Sequence, residues 1–279
     1  MSFATLSSLH KVLSAAAKIS CRTTGLPCTR AQELASDFLT KNVMVGISIW
    51  NIVNPKEVHE FPNISPSFTI WDSPSAYVLI RTLFEGYVNM HYVLLDPGSE
   101  EERRLRMDLW DRHALLERQK MGSSIGSRHK KLDAEKKQIE AYTKSIRESP
   151  CVQSLQEKER QSLIDMHKWT KENTLDRADK AGIHRSQSEF VYKFLSNYAH
   201  CEPYALMQIH SVHSGDQARQ LMDLLIRFAE MFLSCTLNAF AKIQPLAKSE
   251  MEKDDELAEI INFWEKCKTE DLKKIPGLS

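Results

Sequence analysis

The stretch DSPSAYVLIRTLFEGYVNMHYVLLDP, residues 72–97, decides the fold. It is apolar on nearly every side, through Tyr77, Val78, Leu79, Ile80, Leu83, Phe84, Tyr87, Val88, Val93 and Leu94, so it reads as a helix at the centre of a bundle. Asp72 ahead of Ser73-Pro74 opens it, and Asp96-Pro97-Gly98 stops it. A single polar file, Arg81, Glu85 and Asn89, runs along it at i, i+4 and i+8. Polar groups buried in such a helix have to be paired or hydrogen-bonded. Within one helix a glutamate ahead of an arginine is the better order. Here Arg81 comes first, which points to partners elsewhere in the chain.

The best partner lies far downstream, in Ser196-Asn197-Tyr198-Ala199-His200-Cys201-Glu202-Pro203. A helix from Ser186 to His200 places Phe190, Val191, Phe194, Leu195 and Tyr198 on a core face, with Lys193, Ser196 and His200 as a second polar file. If the two helices pack side by side, Arg81 and Glu85 meet Ser196 and His200: a cation, a carboxylate, a hydroxyl and an imidazole. That set suits acid/base work, with Glu202 at hand. The competing reading is a buried ion pair, with Ser196 bonding its own backbone.

Working outward, Gly and Pro are few, apolar residues recur at three and four, and strand alternation is missing, so the fold class is all-α. The expected form is a multi-helix bundle with a long charged helical hairpin. Thr29 to Gln32, Ser99 to Glu102 and Ser186 to Glu189 fit the capping box. A first helix spans Phe3 to Ile19, a second long core helix Gln217 to Gln244, and a short amphipathic helix Asp254 to Lys268 docks or frays. Lys56 to Trp71, rich in Pro and Phe, reads as an ordered loop laid over the bundle. From Glu100 to about Arg160 the composition turns to dense mixed charge, a hairpin with its turn between Met121 and Ser127. At its tip Arg128-His129-Lys130-Lys131 reads as a solvated helix start that could touch phosphates or an acidic partner. One domain is expected over residues 1–250, the hairpin at about 100–160 included, with a helix and tail over 251–279.

The 279 residues suffice for a sizeable core. Lys+Arg and Asp+Glu are both 37, so the chain lacks the overall basic bias of a nucleic-acid coat, and any such role is local. The six cysteines form no tight pair and read as reduced, which suits the cytoplasm. The uncharged run Met231 to Ala241 is shorter than the roughly 20 residues a bilayer requires, so no membrane span is expected. The first 32 residues contain no acid but little arginine, and a transit peptide is the weaker reading of them.

Two other chemistries are weakly signalled. A metal site could draw on His200, Glu202 and Glu85, or on His210 and His213, but no Glu-x-x-His occurs, and neither a metal nor another cofactor is expected. Ala178-x-x-x-Gly182-Ile183 before a capped helix has the outline of a helix-turn-helix. Its second helix is loaded with core residues, and Gly182 is better explained as the left-handed stop of a helix from Thr174 to Ala181.

Four pieces, in this order and spacing, carry a resemblance: Ile80-Arg81-x-x-x-Glu85 with following aromatics, Leu109-Trp110 through Arg118-Gln119, Trp169 through Ala181-Gly182-Ile183, and Tyr192-x-x-x-Ser196-x-x-x-His200-x-Glu202. Over roughly Ser73 to Met207 the chain resembles an uncharacterised group of bacterial all-helical proteins, a domain of unknown function. That resemblance implies a helical bundle with Arg81, Glu85, Ser196, His200 and Glu202 as signature positions. A looser similarity is to the HEPN superfamily of RNA processing, toxin-antitoxin modules and phage defence, whose ribonuclease motif sets an Arg four to six residues before a His. Here the nearest basic residue upstream of His200 is Lys193. The similarity implies a metal-independent ribonuclease with His200 as general acid/base, Arg81 stabilising phosphate charge and Glu85 or Glu202 orienting the ring. The alternative is a non-catalytic bundle binding a small ligand, or a protein partner through the charged hairpin. The expected partners are RNA, such a protein, and a second copy of the chain.

Overall fold

A computed structural model describes residues 4–54, 72–122, 129–200, 202–211 and 215–271. These residues hold thirteen helices and no strand, so the fold is all-α. In chain order they are α1 (Leu6–Thr23), α2 (Arg30–Val53), α3 (Ser73–Leu94), α4 (Glu100–Gly122), α5 (His129–Glu148), α6 (Pro150–Gln153), α7 (Glu157–Ile164), α8 (Thr174–Lys180), α9 (Arg185–Ala199), α10 (Pro203–Ser211), α11 (Gly215–Ile243), α12 (Pro245–Met251) and α13 (Asp255–Cys267). The Pro- and Phe-rich stretch, the hairpin turn and Arg128 lie outside the described residues, as do the side chains of His129, Lys130 and Lys131.

The chain divides into two compact units, Met1–Met90 with Thr174–Ser279, and His91–Asn173, with the boundary inside α3. The sequence instead predicts one domain over residues 1–250, the hairpin included, with a helix and tail over 251–279. Two packing facts account for the difference. α13 buries Leu257, Ile260, Ile261 and Trp264 in the first unit, so it belongs to that core. The charged hairpin α4–α5 closes a small core of its own, in which Leu105, Leu109, Ile146, Val152 and Ile164 cluster.

In the first unit α11 packs on α1, α2 and α13. It is long and apolar enough over Gln220–Ile243 to cross a membrane by length and composition, yet 83% of its most apolar 18-residue window is buried in the protein. Its buried Glu230 is answered from two sides: Ser8 Oγ of α1 donates to it at 2.5 Å and Trp264 Nε1 of α13 at 2.8 Å. α2 contributes Asn42, wholly buried, whose Nδ2 donates to Thr236 Oγ1 of α11 at 2.9 Å. A Cβ on Gly86 would come within 2.3 Å of Asn42 Oδ1, so α3 passes α2 at a glycine.

In the second unit the hairpin helices are laced by polar pairs. Ser145 donates to Asp108 at 2.6 Å, Tyr142 to Asp111 at 3.2 Å, and Arg118 bonds Glu135. Buried Arg112 donates to the carbonyls of Ile164 and Met166, at 2.9 and 2.8 Å, around the end of α7. There it meets acceptors a helix C-terminus leaves free.

Two of the three capping boxes differ from expectation. Thr29 and Gln32 form the reciprocal pair. Ser99 accepts from Glu102 N–H, but the Glu102 carboxylate reaches back to Gly98 N–H. At α9 the cap is His184, whose ring accepts from Ser186 N–H, because Glu189 turns to Arg185 one turn away. α1 begins at Leu6, behind a capping box of Thr5 and Ser8. α8 is stopped two residues past Lys180 by Gly182, φ 76°, where Gly182 N–H donates to Asp179 C=O and Ile183 N–H to Ala178 C=O, each at 3.0 Å. That is the left-handed stop the sequence indicated.

Candidate functional site

α3 and α9 meet along a seam that is aromatic at one end and polar at the other. Tyr77 packs on Phe194 and Tyr198, with ring centroids 4.9 and 4.7 Å apart. The Tyr77 hydroxyl donates to Leu221 C=O at 2.8 Å, so burying it strands no donor. Burial lifts the Tyr198 hydroxyl to a pKa of about 12, and that group donates to Gln208 of α10 at 2.5 Å.

One turn beyond Tyr77 on α3, Arg81 leaves the helix and crosses to α9. Nε donates to Glu85 Oε1 at 3.0 Å, Nη1 to Ser196 Oγ at 3.1 Å and Nη2 to Tyr192 Oη at 3.5 Å. The guanidinium also lies over the Tyr192 ring, 5.0 Å from its centroid. Such a planar, forked cation suits acceptors spread in one plane and stacking on a ring. Ser196 in turn donates to Tyr192 C=O at 2.6 Å, so its hydroxyl accepts from Arg81 and bonds its own backbone at once. The Arg81 side chain is 18% exposed and that of Glu85 37%, so the cluster opens to solvent on one side.

The structure therefore brings Arg81, Glu85 and Ser196 together and adds Tyr192. Tyr192 stands one turn before Ser196 in the Tyr192-x-x-x-Ser196-x-x-x-His200 pattern, on the same side of α9, and that spacing was the signal for it. The local Arg81–Glu85 pair and the partner on α9 exist side by side. Asn89, third in the file, accepts from Arg177 Nε of α8 at 3.2 Å, outside the cluster.

His200 and Glu202 stand apart from that cluster. His200 caps the C-terminal end of α9, its N–H donating to Ser196 C=O at 3.1 Å. Its ring is exposed and makes no hydrogen bond or ion pair with Arg81, Glu85 or Glu202. It follows Ser196 at i+4, on the same side of the helix. Glu202 is exposed ahead of Pro203, where its carbonyl accepts from Ala205 N–H at 3.0 Å and opens α10. Lys193 is on the solvent face.

Among the described residues no group of three or more His, Cys, Asp or Glu could hold a metal ion, and Cys21, Cys28, Cys151, Cys235 and Cys267 are free thiols. His210 is exposed on α10, while Cys201 and His213 lie outside the described residues. Comparison with curated proteins and with solved structures finds no match to the chain. A family model does match, from residue 64 to residue 218, a stretch that holds Arg81, Glu85, Tyr192, Ser196, His200 and Glu202. The chain belongs to this family, DUF5677, a family of unknown function.

Proposed function

We propose that the α3–α9 face binds a phosphate of RNA and promotes cleavage of the strand without a metal, with His200 as general acid/base, in a toxin or phage-defence setting. The observation that carries this reading is the crossing of Arg81 to Ser196 and Tyr192, with the exposed His200 ring one turn farther along α9. A half-open guanidinium beside two hydroxyls is a ready partner for a phosphate oxygen. An exposed imidazole farther along the same side of α9 suits proton transfer. Looser similarity to the HEPN superfamily supports RNA as the substrate. In the cleavage step the ribose 2′-oxygen bonds to phosphorus as the bond to the 5′-oxygen breaks, the first losing a proton and the second gaining one.

A second reading has an observation of its own. Nε, Nη1 and Nη2 of Arg81 are already engaged, as a purely structural pin between α3 and α9 would have them. The two readings separate in one experiment. Wild type, Arg81→Ala and His200→Ala are compared for RNA cleavage, growth on expression and thermal stability. Cleavage lost in both variants, with His200→Ala as stable as wild type, supports the enzyme. Stability lost in Arg81→Ala with cleavage absent from every protein, wild type included, supports the pin.

A further inference from the structure

The N-terminal end of α9 rests on the last turn of α13. His184 N–H donates to Lys268 C=O at 2.7 Å, and Gln187 Nε2 donates to the carbonyls of both Cys267 and Glu270 at 2.6 Å. Gln187 is 2% exposed, so those two carbonyls are what satisfies its amide. Ser186 Oγ adds a bond to Asp271 at 3.4 Å. Lys268 turns inward from the same turn. Its ammonium pairs with Glu265 at 2.9 Å and donates to Tyr87 Oη of α3 at 2.7 Å, and the Tyr87 hydroxyl donates to Ala181 C=O at 2.8 Å, at the corner before α9. One short turn thus grips the start of α9, the corner leading into it and α3.

We infer that the turn Cys267–Asp271 is a strap that sets how α9 seats against α3, making Gln187 and Lys268 positioning residues for the Arg81 site. The strap lies outside the stretch matched by the family, residues 64–218. An α-helix is stiff over the two to three turns from Gln187 to Ser196, so a shift or rotation at its start moves the Ser196 and Tyr192 hydroxyls relative to Arg81. The inference rests on the α3–α9 site of the proposed function but not on its RNA chemistry, so the two can fail separately.

The test uses the full chain and the Nε–H signal of Arg81 in nitrogen-resolved NMR, assigned by its disappearance in Arg81→Lys. Gln187→Leu removes the α9 amide that donates to two carbonyls of the strap, Lys268→Met removes the bond to Tyr87, and Leu257→Ala weakens α13 at its other end. The expected result is a shifted Arg81 signal exchanging roughly five- to tenfold faster with water in Gln187→Leu or Lys268→Met, about the worth of one hydrogen bond. Leu257→Ala lowers the melting temperature and leaves the signal in place. Should Gln187→Leu fail to fold, Lys268→Met carries the test. A signal unmoved in the strap variants that fold, or moved as far by Leu257→Ala, overturns the inference, whether or not RNA is cleaved.

Discussion

Arg81 shows how many partners one side chain can gather. It lies between a carboxylate on its own helix and two hydroxyls on another, stacked over the ring that carries one of them. Only a planar fork serves those acceptors together, so charge alone is a poor substitute. Arg81→Lys is expected to lower stability by about 1–3 kcal/mol in urea unfolding, the scale of lost charge-assisted bonds in a half-buried setting. A loss below about 0.5 kcal/mol, as at an ordinary surface position, would mean that the crossing contributes little to holding the fold together. The sequence made the Arg81–Ser196 contact legible because a polar file in an apolar helix needs an answer. The position of His200 was less so, since the residue that ends a helix is set by local backbone geometry, and the spacing at three and four could not say that the ring would face solvent.

Among the elements, α3 and α9 were readable from their apolar residues, and the stops at Gly182 and Asp96-Pro97-Gly98 from turn chemistry. The cap of α9 was not. Ser186-x-x-Glu189 has the capping pattern, but Arg185 holds the Glu189 carboxylate below its ordinary range and away from the backbone, leaving the cap to His184. Nor could periodicity show that α3 passes α2 at Gly86, because a close approach depends on which faces meet. Gly86→Ala is therefore a sharp test of that crossing. Its methyl would meet Asn42 Oδ1 at 2.3 Å, on an amide already tied to Thr236. The expected cost is about 1–3 kcal/mol in thermal or urea unfolding, as for other overpacked interiors. The same substitution without loss would show that α2 and α3 do not approach at this glycine.

For the whole molecule, the sequence predicts one domain over residues 1–250 with the charged hairpin included, and a helix and tail over 251–279, whereas the chain divides into two compact units. Burial of Trp264 against Glu230 makes α13 core, and a sparse set of leucines and isoleucines was enough to close the hairpin's own cluster. Glu230 also gives the first unit a pH signature. Burial holds its carboxyl above the ordinary value of 4.5, and the bonds from Ser8 and Trp264 only partly offset this. The folded state then binds that proton more tightly than the unfolded chain. The contribution is fully present below the unfolded value and is lost as pH rises through the folded one. Wild type should gain stability relative to Glu230→Gln as pH falls from about 7 to about 4, followed by urea unfolding at each pH; a difference that is flat or runs the other way contradicts the buried carboxylate. If His200 is the acid/base of the proposed α3–α9 site, the RNA cleavage rate of His200→Ala, measured beside its unfolding free energy, falls by about 10²–10⁴-fold, with stability within about 0.5 kcal/mol of wild type. Cleavage at the wild-type rate, or cleavage lost only in step with stability, would contradict it.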